Sequence, residues 1–350
     1  MTLLERLEVP IPIVQAPMAG VSTPELAAEV SNAGGLGSIG IGATDAAGAR
    51  AMIAATRART DRPFNVNVFV HSTPKANPAL EQAWLEALRP VFGCFGKEPP
   101  AALRTIYKSF TDDEEMLALL VQTAPQVVSF HFGLPRPEQI AALRQAGCVL
   151  LATATSLSEA SVIEAAGFDA IVAQGWEAGG HRGVFNPGAH DDQLGTMALA
   201  RLLVLKSALP VIAAGGIMDG AGIRSALALG AVAAQLGTAF IACPESSADE
   251  TYREVLGGPG ANHTLMTRVI SGRPARCLPN RFTEWEPSAP SEVPEYPIAY
   301  DAGKALSVAA KAAGEGGYGA QWAGQGAPLS RTMPAADLVA SLWQEATEAN

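Results

Sequence analysis

Cysteine is scarce and scattered in this chain: Cys94, Cys148, Cys243 and Cys277 form no C-x-x-C pair, and no histidine stands at ligand spacing from them. Neither a disulfide framework nor a structural zinc site is therefore indicated, and no metal is expected. Charge is thin as well, with 17% charged residues and a formal net charge of -10. A nucleic-acid surface needs clustered Lys and Arg to meet phosphates, so this balance argues against nucleic acid and for small molecules as partners. Long hydrophobic runs are missing: no uncharged apolar stretch is long enough to span a bilayer, and the opening MTLLERLEVP has two acidic groups and no apolar h-region. The expectation is a soluble cytoplasmic protein with no membrane partner. Nothing in these features sets an oligomeric state.

What is abundant is apolar surface. A hydrophobic fraction of 48% over 350 residues suits a large core in which parallel strands are covered on both faces. Short apolar runs recur along the chain, each followed by a helix-like stretch that opens at a capping residue. The candidate strands are Ile11 to Met18, Gly35 to Gly40, Phe64 to Val70, Val127 to Gly133, Val149 to Ser156, Ala170 to Glu177, Pro210 to Ile217 and Ala233 to Phe240. Eight such units close a (β/α)8 TIM barrel, which takes about 250 residues and leaves a smaller appendage. One connection is oversized: His71 to Phe110 carries its own helical pattern, ALEQAWLEAL. Beyond Pro244 the strand rhythm stops and Pro and Gly accumulate, with an amphipathic stretch from Tyr300 to Ala313. The reading is an α/β chain with residues 1-71 and 111-244 forming the barrel and 72-110 and 245-350 forming a helical lid.

In this architecture active sites form at the carboxyl ends of the strands. Several strands end there in QAPM, NVNV, FHFG, AQGWEAGGHRG, AAGGI and QLGT, each delivering a polar side chain or a glycine-rich bend. Gly215 and Gly216 before a helix, with Gln235, Gly237 and Thr238 opening the next loop, read as a phosphate clasp built on backbone amides. One clasp of this kind, without a G-x-G-x-x-G after a first strand, fits FMN better than NAD or FAD. Asn67 and Gln174 could reach the ribityl chain or ring heteroatoms, since amides both donate and accept. His131 ends a strand that supplies the barrel interior, where an imidazole is costly unless it meets a polar partner. Tyr296, Tyr300 and Lys304 stand at i, i+4 and i+8, with Pro297 placing Tyr296 where the segment begins. His71 and His190 read as packed or solvent-bridging residues, and His263 has no discernible context.

The segments IVQAPMAGVSTPELAAEVSNAGGLGSIG, VSFHFGLP, VAQGWEAGGHRG, VIAAGGIMDGAGIRSALALGA, AAQLGTAF, YDAGKALSVAAKAA and WAGQGAPLSRTMPA together resemble the class I branch of the nitronate monooxygenase family, formerly 2-nitropropane dioxygenase. The resemblance runs nearly end to end and is weakest from His71 to Lys108 and from Cys243 to Pro294. The EAGGH segment is shared with FMN-dependent enoyl reductases, so the FHFG histidine and the YDAGKAL tail discriminate. The resemblance implies FMN as cofactor, contacted by Met18, Asn67, Gln174, Gly179, Gly216, Gln235, Gly237 and Thr238. It implies His131 as the catalytic histidine, and Tyr107, His181, Tyr296, Tyr300 and Lys304 as lining the substrate pocket. The activity implied is oxidation by O2 of alkyl nitronates such as propionate 3-nitronate to a carbonyl compound and nitrite. The alternative is an NAD(P)H-dependent FMN reductase of enoyl thioesters or quinones.

Overall fold

The computed structural model describes residues 1–348. Its strands are β1 (Ile13–Gln15), β2 (Gly37–Gly40), β3 (Phe64–Phe69), β4 (Val127–His131), β5 (Val149–Ala154), β6 (Ala170–Gln174), β7 (Gly180–His181), β8 (Val211–Ala214), β9 (Ala233–Leu236), β10 (Leu265–Thr267) and β11 (Ala275–Cys277). Eight of them form one parallel sheet in the order β1-β9-β8-β6-β5-β4-β3-β2. A further parallel bridge from Val14 to Leu36 joins the first strand to the segment leading into the second, and the sheet closes into the expected (β/α)8 barrel.

Side chains alternate across a strand, so the two faces can be followed residue by residue. On the outer face Val66, Val128, Phe130, Leu150 and Ile171 pack under helix residues such as Leu119, Leu143, Ile163 and Leu199. On the inner face Val127, Val149, Leu151, Val172 and Ile212 cluster with Leu3, Leu7 and Val9 from the chain's start, which plug the amino end of the barrel. The same inner face turns polar toward the carboxyl end: Val127 gives way to Ser129 and His131, Leu151 to Thr153, Val172 to Gln174 and Ala233 to Gln235. Registers pair Asn67 with Ser129 and Ala214 with both Gln174 and Gln235, so these polar groups share one layer at the barrel's mouth.

Two long excursions cover that mouth. In the insertion, the helix Pro78–Gly93 buries Trp84, Leu85, Leu88 and Phe92 against Phe282, Ala302, Leu306 and Ala309 of the tail. Both excursions thus share one core, with the helix Ile298–Ala312 at its centre. The cover also holds a three-stranded antiparallel sheet, β10-β11-β7, that the sequence pattern did not announce, because strands of two and three residues are too short to show a period. The Pro-rich segment before Tyr296 includes a 3-10 turn, Glu286–Ser288.

One boundary needs correction. The last helix, Ala335–Thr347, does not belong to the lid; Ala335, Leu338, Val339 and Leu342 pack with Leu26, Val30, Ile223 and Ala226 of the barrel's helices Pro24–Asn32 and Gly220–Ala228. β9 is followed by a 3-10 turn, Thr238–Phe240, and a short helix, Glu250–Gly257, that packs with Leu278 and Ala323, so the ring of helices is completed by a segment nearly a hundred residues downstream. Sequence distance hid this, since its apolar stripe looks the same whichever surface it covers. Leu338 is 1% exposed, and Leu338→Ala is expected to destabilise the protein by about 2–5 kcal/mol in urea titration; a loss well under 1 kcal/mol would show that this helix adds little to the barrel.

Candidate active site

Between the barrel mouth and its cover lies a cavity of about 720 Å³, within the usual range for small-molecule and cofactor sites. Its lining brings together His131, Tyr107, His181, Tyr296, Tyr300 and Lys304 with Met18, Asn67, Gln174, Gly179, Gly216, Gln235, Gly237 and Thr238. These residues come from β3, β4, β6, β7, β9, the βα loops, the insertion and the tail.

His131 ends β4 on the inner face. Its Nε2 lies 3.1 Å from the carbonyl oxygen of His181 and its Nδ1 lies 3.0 Å from Thr153 Oγ1. A carbonyl can only accept, so the network assigns the proton to Nε2 and makes Nδ1 the acceptor of the Thr153 hydroxyl. Burial, together with the nearby cations Arg273 and Arg182, pushes the His131 pKa down to about 4, and the ring is a neutral imidazole across the physiological range. His181 is pushed well below the ordinary histidine value by burial, then by Arg273 and its histidine neighbours; its Nε2 donates to Ser271 Oγ at 2.9 Å, whose hydroxyl in turn donates to the Arg273 carbonyl at 3.2 Å. The residue after His131 is Phe132, at φ +80°, a region bulky side chains rarely occupy and one that concentrates at functional sites.

Gln174 is more committed than its sequence position suggests. Its Nε2 donates to the His181 carbonyl at 3.0 Å and its Oε1 accepts from the Gly183 amide at 2.7 Å, so this side chain braces the loop that carries His181. Asn67 Nδ2 donates to the Ser129 carbonyl and hydroxyl. The glycine floor is different. Gly179 could carry no side chain, since a Cβ there would meet the Gly324 nitrogen at 2.4 Å, and Gly216 sits at φ +70°. The amides of Gly179, Gly216 and Gly237 have no acceptor among the described residues, and Thr238 Oγ1 accepts from the Gly324 amide. A concave floor of unengaged N–H groups, with the Gln235 amide beside it, fits a phosphate-bearing group.

The cover contributes an aromatic wall. Tyr107, Tyr296 and Tyr300 lie with ring centroids 5.9–6.4 Å apart, although Tyr296 precedes the helix that carries Tyr300 and Lys304. The buried Tyr296 hydroxyl has no partner among the described residues. Lys304 Nζ lies 5.0 Å from the Tyr107 ring centre and 5.7 Å from that of Tyr300; the residue is exposed, and partial desolvation of its ammonium lowers its pKa. Its neighbour Asp301 is taken by Arg104, and no ion pair to Lys304 occurs among the described residues. Thr153, Phe132, Ser271 and Arg273 escaped the sequence reading. Thr153 was findable as the polar step in the inner-face series Val149, Leu151, Thr153, and Phe132 as part of the FHFG segment; Ser271 and Arg273 carry no local signal. His190 is exposed beside Asp192, and His263 is exposed.

The buried histidines make a pH prediction. His71, edge-on to Tyr296 at 5.1 Å, also falls to about 4, chiefly through burial. With folded pKa values below the unfolded value near 6.5, the unfolded chain binds more protons in between, so stability is full above about pH 6.5 and is lost as pH falls toward 4. Each of His71 and His131 can cost up to about 3 kcal/mol by the low end of that window. Urea midpoints measured from pH 7.5 to 4.5 should drop, and His71→Gln should flatten the slope; an unchanged slope in that variant would sink the assignment.

Three comparisons bear on what this arrangement is. A family model described as nitronate monooxygenase matches residues 2–345. A nitronate monooxygenase of Paraburkholderia phytofirmans is 61% identical over 345 residues, covering 98% of this chain and 94% of the relative, and one of Pseudomonas aeruginosa is 56% identical over 336 residues, covering 95% of each. Among solved structures, nitroalkane oxidase from Streptomyces ansochromogenes superposes with a TM-score of 0.89 at 42% identity, covering 98% of this chain and 97% of that one. FabK from Thermotoga maritima follows at 0.74 and 30%, covering 98% and 95%. Matched along nearly its whole length, the chain belongs to the nitronate monooxygenase family.

Proposed function

We propose that this protein binds FMN in the cavity and oxidises alkyl nitronates with O2 to a carbonyl compound and nitrite, as the names of its relatives suggest. The observation that carries the reading is the charge balance of the lining: its one carboxylate among the described residues, Asp249, is bound to Lys311 at 2.6 Å, while Lys304 forms no ion pair among the described residues. Together with neutral donors, that leaves a cavity suited to an anion, and a nitronate is already an anion. The flavin would supply the electron transfer.

The amides of Gly179, Gly216 and Gly237, with Thr238 and Gln235, would hold the phosphate end and polar edge of the cofactor. Met18, Asn67 and Gln174 would line the remainder. His131 would act on substrate only by exchanging a partner: with Nε2 turned from the His181 carbonyl it would donate to the nitronate oxygens, and with Nδ1 released by the Thr153 hydroxyl it would take a carbon-bound proton when a neutral nitroalkane is offered. Tyr107, Tyr296, Tyr300 and His181 would exclude water and orient the substrate. The cover formed by 72–110 with 245–334 is proposed to close this space from solvent.

The test is direct. Heat-denatured protein should release FMN, about one per chain, and the holoprotein should consume O2 and form nitrite with ethyl nitronate. His131→Ala should lower turnover about 10²- to 10⁴-fold with flavin retained. Bleaching of the flavin by NADH under anaerobic conditions, without nitronate turnover, would replace this reading with an NAD(P)H-dependent reductase.

Lys304 gives a second test. Its ammonium can pair with the carboxylate of propionate 3-nitronate, a charge-assisted contact contributing roughly 1.5–3 kcal/mol, or about ten- to a hundredfold. Lys304→Met is expected to reduce kcat/KM for propionate 3-nitronate by that factor and much less for ethyl nitronate, which lacks the carboxylate. Equal losses on both substrates would show that Lys304 does not read the carboxylate.

A further inference from the structure

Arg273 is 3% exposed and forms no ion pair among the described residues. Burying a guanidinium without an anion carries a large desolvation penalty, and such a charge persists when something offsets it. Here its Cζ lies 4.1 Å over the centre of the Phe132 ring, a cation–π contact, and Nη2 donates to the Val184 carbonyl. Its Nε has no partner. Phe132 lines the cavity and Arg273 does not, so the ring is interposed between the charge and the space where a ligand binds. The placement is built in: Gly272, at φ +87°, lets the Ser271–Arg273 turn press on the segment carrying Tyr296, where a Cβ would meet the Pro294 oxygen at 2.3 Å and the Tyr296 nitrogen at 2.8 Å.

We propose that Arg273, acting through the ring of Phe132, is the fixed positive charge that makes this cavity selective for an anionic substrate. It is a positioning and specificity residue, with no contact to substrate; the inference rests on the nitronate reading of the site. The titratable rings that stand beside this charge on the cavity side are neutral. From the end of β3 comes His71, from β4 His131, from β7 His181, and from the cover Tyr107, Tyr296 and Tyr300, all neutral at physiological pH. Two carboxylates act on this cluster from a distance, Glu159 on Arg273 and Asp112 on His71, and neither forms an ion pair with Arg273 among the described residues; Glu159 is held by the Phe185 and Thr155 amides and the Thr155 hydroxyl, and Asp112 by Thr73. Arg182 is neutralised by Asp191 at 2.8 Å, and Arg268 donates to the Pro187 carbonyl. Arg273 also lowers the pKa of His71, His131 and His181, so one buried charge both attracts an anion and keeps the imidazoles beside it unprotonated.

The experiment uses the flavin-loaded enzyme with Arg273→Met, which keeps bulk and removes charge, and Arg273→Lys, which keeps charge and loses the fork. Arg273→Met should raise KM for ethyl nitronate on the order of tenfold, the size expected for a unit charge acting across one residue at intermediate dielectric. It should also move the acid limb of the kcat/KM profile upward, toward the ordinary histidine value, because removing a cation makes the neighbouring imidazoles easier to protonate. Arg273→Lys, which keeps a cation over the same ring, should keep KM within about threefold and leave the limb in place. A folded, flavin-loaded Arg273→Met enzyme with unchanged KM and limb would overturn the proposal, as would an upward-shifted limb in Arg273→Lys, which decides the matter should the Met variant fail to fold. A ¹⁵N-histidine NMR titration of wild type, Arg273→Met and Arg273→Lys reads the same protonation without turnover, so it tests Arg273 separately from the nitronate reading.

Discussion

The carbonyl oxygen of His181 accepts two hydrogen bonds, one from Nε2 of His131 at 3.1 Å and one from Nε2 of Gln174 at 3.0 Å. Through that one atom β4, β6 and the small sheet of the cover are joined. Because the oxygen cannot donate, it fixes the tautomer of His131, and Thr153 completes the assignment from the other side. The same carbonyl sets where the His181 backbone runs, and so where its ring meets Tyr296, Tyr300 and Trp322. Buried polar networks of this kind are stable when every member is satisfied, and here the satisfied groups hold the unsatisfied ones, such as the Tyr296 hydroxyl, in place.

Desolvation organises the electrostatics. Packing histidines and tyrosines into one wall raises the phenol pKa values and lowers those of the imidazoles, so the wall is neutral without any ion pair. Against it stand two cations without an ion pair among the described residues, Lys304 and, behind Phe132, Arg273. Acidic groups within reach are tied up, Asp301 by Arg104, Asp191 by Arg182 and Asp249 by Lys311. A chain that is acidic as a whole thus presents its cavity with the opposite sign.

The cover depends on packing between segments that are far apart in the chain. Trp84 and Phe92 of the insertion meet Phe282 and Leu306 of the tail in a core of their own, and Arg104 binds Asp301 of the tail helix. The tail then returns to the barrel in its last helix, whose Leu338 and Leu342 complete the outer ring. The cover is therefore stapled to the barrel at both ends, and the cavity has walls from both units.

Much of this was legible in the sequence because it is local. Apolar runs such as Val127–Phe130 and Val149–Ala152 specify strands by themselves, the caps at Thr23 and Ser156 fix helix starts, and eight repeats leave a closed barrel as the economical solution. The polar endings of those strands announced His131, Asn67, Gln174 and Gln235 at the mouth, since period-two alternation dictates their face. Resemblance, not spacing, supplied Tyr107, His181 and Met18. What the chain could not reveal locally was which distant segments meet. Only the folded structure brought Ser271 to His181 and Arg273 to Phe132, committed Gln174 to bracing a loop, and gave the final helix to the barrel. The physical reason is that strand and helix periodicity encode the face a residue turns to, whereas the identity of the surface it meets, and the charge left unpaired there, are set by tertiary contacts across hundreds of residues.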